Sequence, residues 1–199
     1  MTIDRSHFAQ GLTYEAFKEQ MTRNRDRFEE NERRVAIGPA DLAAFRELPR
    51  PVHVVALAED WCGDVIANLP VLGQLAKESG KLDVRVFLRD QNDDLMQGYL
   101  NQGKFKSIPV FVFFDEAFKE LGHWIERPAS VTELRARRRA EIYAAHPEFG
   151  APEAPIDQLP EDVRGRLQAE MQKMRDDTTA FANAEVVREL RELVTRVAA

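Results

Sequence analysis

The sequence predicts an α/β protein in which a mixed sheet is flanked by helices, with further helices added at both ends. Three observations carry this. Pro51–Ala58 is a short, apolar, β-branched run, and it is followed by Ile66, Leu69, Leu72, Leu75 and Ala76 at helical spacing. Gly80 then ends the helix and Leu82–Leu88 repeats the strand signature, so the two runs and their helix form a βαβ unit whose strands should be parallel and whose crossover should be right-handed. Finally, Val110–Phe114 and a run around Phe118–Ile125 flank the short loop Asp115-Glu116-Ala117, which reads as a hairpin.

The elements can be taken in order. After a cap at Thr13, residues Tyr14, Phe17, Met21 and Phe28 share one helical stripe, with charges on the other faces through about Arg33. A second helix is expected after Pro39, with Leu42, Phe45 and Leu48 inward, stopping before Pro49 and Pro51. Between them, Val35-Ala36-Ile37 fits either a linker or a short edge strand. The strand at 52–58, the helix at 64–79 and the strand at 82–88 follow. Arg89–Asp94 reads as turn and cap, leading to a helix with Leu95, Met96, Tyr99 and Leu100, and Ser107-Ile108-Pro109 opens the hairpin. A helix begins after Arg127-Pro128. Pro147, Gly150, Pro152, Pro155 and Pro160 make 147–160 a linker. Beyond it, Leu167, Met171, Met174, Phe181, Val186, Leu190, Leu193 and Val197 imply two helices broken near Asn183. That stripe must be covered by its own domain or by a second copy in a homodimer. The expected division is a helical extension at 1–50, a core at 51–146, and linker plus C-terminal helices at 147–199, all in one domain.

Composition limits the function. With 199 residues, 44% hydrophobic and 31% charged, the chain is long enough to bury its own core. A net charge of −6 and a pI near 5.4 argue against nucleic acid or an anionic membrane as partner, which both require an excess of Lys and Arg. No uncharged apolar run approaches the roughly 18 residues of a membrane span. One cysteine permits no internal disulfide, and the first residues carry no apolar signal core, so a cytoplasmic location is expected. The four histidines are scattered without ligand spacing to the cysteine, and no metal or other cofactor is invoked. Asp90, Asp93 and Asp94 read as helix capping. Arg135, Arg137, Arg138 and Arg139, flanked by Glu133 and Glu141, read as a solvated helix face.

The single cysteine, Cys62, falls where the first strand turns into its helix. Unpaired N–H groups at such a terminus favour a thiolate, whereas Glu59, Asp60 and Asp64 oppose it, and the two effects leave the sign of the net shift open. Asp60-Trp61-Cys62-Gly63-Asp64, Leu88-Arg89-Asp90-Gln91-Asn92, Leu95-Met96, Tyr99-Leu100 and Ser107-Ile108-Pro109, together with the element order, resemble the thioredoxin superfamily. The closer resemblance, which includes Gly11-Leu12-Thr13 and covers most of residues 10–128, is to a bacterial family of thioredoxin-like proteins with extra terminal helices. It implies a thioredoxin-like fold, a reactive Cys62, a cis Ile108-Pro109 bond facing it, and a substrate-binding surface formed by Trp61, Gly63, Asp64, Ile108 and Pro109.

The departures from that family decide the chemistry. Its second cysteine is replaced by Val65, the buried acid on the preceding strand falls on Ala56, and the Gly-Pro-Arg after the last-strand Trp becomes Ile125-Glu126-Arg127. A mixed disulfide on Cys62 would therefore need a thiol from outside the chain, such as glutathione or a partner protein. Two functions fit: a monothiol disulfide-exchange protein using Cys62, or an adaptor that keeps the groove without turnover. Trp61 would be part of the docking surface in the first, and a packed aromatic at a loop corner in its plainest alternative.

Overall fold

Strand β2 (Val52–Ala58) occupies the middle of the sheet, and every residue in it except His53 is buried. A strand covered on both faces must be apolar throughout, which is why it lacks the alternation of a half-exposed strand. The computed structural model describes residues 3–198, with side chains through Arg196. Among these, five strands pair in the order β1-β3-β2-β4-β5, where β1 is Leu12–Thr13, β3 is Leu82–Leu88, β4 is Val110–Phe114 and β5 is Glu120–Ile125. Strands β2 and β3 are parallel from Val52↔Leu82 to Ala58↔Leu88, as the βαβ reading requires. Strand β4 joins the other side of β2 antiparallel, and β5 closes the hairpin with Phe111 opposite Trp124. These two rings stack with centroids 5.1 Å apart, a geometry that adds about 0.5–1.5 kcal/mol beyond area burial.

Helix α5 (Gly63–Ser79) crosses one face of the sheet and ends at Gly80, whose φ of 65° suits a residue without a Cβ. It carries Pro70 in its interior, where proline cannot donate to the carbonyl four residues back. The Asn31 side chain supplies the missing donor, with Nδ2 2.9 Å from the Ile66 carbonyl. Asn31 lies on α3 (Arg25–Arg34), so the defect in one helix is repaired by its neighbour.

The N-terminal region corrects the sequence reading in three places. A short α1 (Arg5–Phe8), capped by Asp4, precedes β1. The helix expected from 14 to about 33 is two, α2 (Tyr14–Gln20) and α3, because Asn24 adopts a left-handed φ of 56° between them. Phe17, Met21 and Phe28 are nevertheless all buried. The edge strand is Leu12–Thr13, paired antiparallel with Arg85 and Val86, and Val35–Ile37 forms no strand. Thr13 caps α2 as expected, accepting from the Ala16 N–H at 3.1 Å, and α4 (Pro39–Arg46) buries Leu42 and Phe45.

After β3, a 3₁₀ turn at Arg89–Gln91 leads to α6 (Asp93–Met96). Here the expected aspartate cap is not made: Asn92 occupies the cap position with no side-chain bond to the helix, and Asp93 pairs with Lys106.

Contacts group the chain into two units: residues up to Arg127 together with those from Val186 onward, and Pro128–Glu185. The first holds the sheet, and its core includes Val186, Val187, Leu190, Leu193 and Val194 from the last helix, α9 (Thr179–Ala198). The second contains α7 (Ala129–Ala145), α8 (Glu161–Asp177) and the start of α9, with a small core of Tyr143, Phe149 and Leu167. The break between the last two helices lies at Thr178, not near Asn183, which is buried within α9. The Thr178 hydroxyl donates to the carbonyls of Met174 and Arg175, competing with the helical pattern at that point. Phe181 is exposed, and the Val197 side chain lies outside the described residues. No described helix is long and apolar enough to cross a membrane.

Candidate functional site

Cys62 is the N-cap of α5: its carbonyl accepts the first helical bond, from the Ile66 N–H at 3.1 Å. Cys62 is partly exposed, and its sulfur faces the Ile108-Pro109 bond, which is cis. Its Sγ–H donates to the Ile108 carbonyl at 3.4 Å, and Ile108 itself is buried in the core. A cysteine at a helix start has N–H groups to stabilise a thiolate, and those of Val65 and Asp64 point that way here. Burial is the larger effect and, aided by the Asp64 and Glu126 charges, it pushes the thiol above its ordinary value. The sign that the sequence leaves open is thus upward.

The loop before Cys62 is held from outside. The Asp60 carboxylate accepts from the Thr22 N–H at 2.7 Å, the Thr22 hydroxyl at 3.1 Å and the Arg23 N–H at 3.0 Å, and its carbonyl accepts from Asn24 Nδ2 at 2.9 Å. Asp60 is therefore a latch between the motif and the α2–α3 turn. Glu59 is buried and accepts from the Asp90 N–H at 2.8 Å, and burial raises its carboxyl above the usual range. Trp61 is 40% exposed with the Arg89 guanidinium 4.8 Å from its ring, so it stands at the surface and not in a core corner. Gly63 would have nothing within 4 Å of an added Cβ, which leaves the helix start open above Cys62.

Asp64 completes the ring of residues around the sulfur. Its carboxylate lies 3.1 Å from Arg127 Nη2, and Arg127 also pairs with Glu126. Burial alone would lower the Arg127 guanidinium, but Glu126 and Asp64 together hold it above its ordinary value. The predicted residues Trp61, Cys62, Gly63 and Asp64 are contiguous, and Ile108 meets Cys62 across the site. Arg89, Asn101, Ser107, Glu126 and Arg127 are site residues that sequence reasoning does not assign. Arg89 and Ser107 lie inside motifs that carry the resemblance, Glu126 and Arg127 lie in the departure at Ile125-Glu126-Arg127, which marks a corner rebuilt with charge, and no sequence signal points to Asn101.

The weaker candidates do not converge on the sulfur. His53 stacks on Phe118 with centroids 4.7 Å apart, and His123 Nδ1 lies 2.8 Å from Glu120. Among the described residues, no group of three His, Cys, Asp or Glu side chains is placed to hold a metal ion.

Comparison with known proteins bears on the fold and the family. A crystal structure of an HIV epitope-scaffold superposes with a TM-score of 0.64 at 14% identity, covering 97% of this chain and 98% of its own. The crystal structure of a protein of unknown function from Pseudomonas aeruginosa matches with a TM-score of 0.61 at 18% identity, over 86% of this chain and 99% of that one. At such identities the likeness concerns the fold. No functionally curated protein matches the chain significantly. A family model described as thioredoxin matches residues 11–141, which span the whole sheet, the Cys62 loop and Pro109. The chain belongs to the thioredoxin family, and its fold is the thioredoxin-like α/β fold with additional N- and C-terminal helices.

Proposed function

We propose that the protein is a monothiol disulfide-exchange protein working through Cys62. The carrying observation is a partly exposed cysteine at the start of α5, its sulfur set against the Ile108 carbonyl, in a chain with no second cysteine. The Cys62 thiolate attacks one sulfur of a substrate disulfide, which forms a Cys62 mixed disulfide and expels the other sulfur as a thiolate. A thiol from outside the chain then attacks the substrate-derived sulfur and returns Cys62 to thiolate, with the former substrate sulfur now joined to the external thiol. The disulfide partner is a protein or a small thiol such as glutathione. Trp61, Gly63, Asp64, Ile108 and Pro109 form the surface against which it docks, and a reducing cytoplasm would supply the resolving thiol.

The raised thiol value sets the pH dependence. Exchange and alkylation should both climb as pH rises past the ordinary cysteine value of about 8.5 and should not level off below it. A stopped-flow alkylation profile checks this; C62S should abolish labelling and exchange together. Exchange should also require an added thiol such as glutathione for turnover, and multiple turnovers with no added thiol would overturn the monothiol scheme.

An adaptor without turnover is the second reading, favoured by the hydrogen bond that keeps the thiol protonated against Ile108. Trapping partners from extract separates the two: disulfide-linked partners lost in C62S support exchange, while partners retained by C62S but lost on Trp61→Ala support the adaptor.

A further inference from the structure

Glu126 stands where the chain leaves β5 and adopts left-handed backbone, with φ 66°. A non-glycine residue held there is strained and persists only where its surroundings over-determine it. The ties are all present. The Glu126 N–H donates to the Pro109 carbonyl at 2.8 Å, and its own carbonyl accepts from Asn68 Nδ2, a buried side chain on α5, at 2.8 Å. Its carboxylate accepts from Asn101 Nδ2 at 2.8 Å, from Arg127 and from Ser107, and Asn101 also reaches the Ser107 hydroxyl at 3.2 Å. Ser107 and Pro109 bracket Ile108, whose carbonyl meets Cys62 Sγ. One residue thus binds both the segment facing the sulfur and the helix that carries it.

We propose that Glu126 is a positioning residue for the Cys62 site: it fixes the Ile108 carbonyl against the sulfur and places a negative charge beside it, so that one side chain sets both the shape of the groove and its local charge. Burial pushes the Glu126 carboxyl upward, but the bonds from Arg127, Ser107 and Asn101 outweigh it and leave it below the usual range, so it is ionised at neutral pH. The other charged groups on elements around the site are committed elsewhere or offset. Asp60 is bound by Thr22 and Arg23, Glu59 by the Asp90 N–H, and Arg89 by Asp90; Asp64 shares Arg127 with Glu126. Asp64 is the other acid whose charge acts on the thiol.

The test uses the full chain, rests on the exchange reading in one arm only, and measures two rates on each variant. Iodoacetamide, small and neutral, reports the pH midpoint of the thiol. A short peptide carrying a glutathione mixed disulfide reports exchange, in which Cys62 takes the glutathionyl group and the peptide leaves as thiolate. E126Q keeps an acceptor for Asn101 and loses the charge, so its midpoint should move to lower pH while exchange is retained. E126A should move the midpoint likewise and lower the ratio of exchange to alkylation severalfold. An E126Q midpoint identical to that of the unaltered protein, or an E126A ratio equal to it, overturns the proposal. If the unaltered protein exchanges with no peptide at any pH, the redox reading falls, and the E126Q midpoint still decides the inference.

Discussion

Glu59 shows at the residue scale how the site trades stability for placement. Its carboxyl is buried and raised, with one hydrogen bond from the Asp90 N–H in partial return. The sign follows from linkage. Below the unfolded value of about 4.3 both states carry the proton; as pH rises toward the higher folded value the unfolded chain releases it first, so folding loses stability over that interval. E59Q keeps an acceptor for Asp90 and has no proton to lose. Denaturant titrations at pH 4 to 8 should show the unaltered protein losing stability relative to E59Q across the lower part of that range, and parallel curves would contradict the raised carboxyl. The cysteine was legible in the sequence because strand, motif and helix adjoin there. The direction of its shift was not, because that depends on how deeply the sulfur is buried and on Glu126, 64 positions further along the chain.

At the element scale, helix α5 depends on a residue it does not contain. Asn31 donates to the carbonyl that Pro70 leaves unanswered, and Ile66 is buried, so N31A should cost about 1–3 kcal/mol in equilibrium unfolding. Replacing Pro70 as well should recover part of that loss, since the restored N–H satisfies the same carbonyl; a full additive loss in the double variant would refute the pairing. The sequence pattern revealed the strands at 52–58, 82–88 and 110–114 because their apolar runs are bounded by turn residues. It missed the break between α2 and α3, since Met21 and Phe28 keep helical spacing across it and no Pro or Gly marks it. What ends α2 there is tertiary: Asp60 captures the Thr22 and Arg23 N–H groups. The two-residue β1 is likewise too short for any period to register, and Thr178 breaks its helix through side-chain bonds that a hydrophobic stripe does not record.

At the scale of the whole molecule, the sheet-bearing unit is discontinuous in sequence. Its core takes Val186, Leu190 and Val194, each fully buried, from the far side of residues 128–185. L190A should therefore destabilise the sheet unit by about 2–5 kcal/mol, read as a shift in the denaturation midpoint followed through Trp61 and Trp124 fluorescence. A surface stripe that covers only a partner would show a change in assembly and little change in the midpoint. During synthesis the same arrangement becomes a matter of time. All five described strands can be present while the residues that complete their core do not yet exist. At about 5–20 residues per second the wait across 128–185 is several seconds, with apolar surface uncovered throughout. The nascent chain in that interval is a natural client for whatever shields exposed core, and a fragment ending at Arg127 would prolong the interval indefinitely.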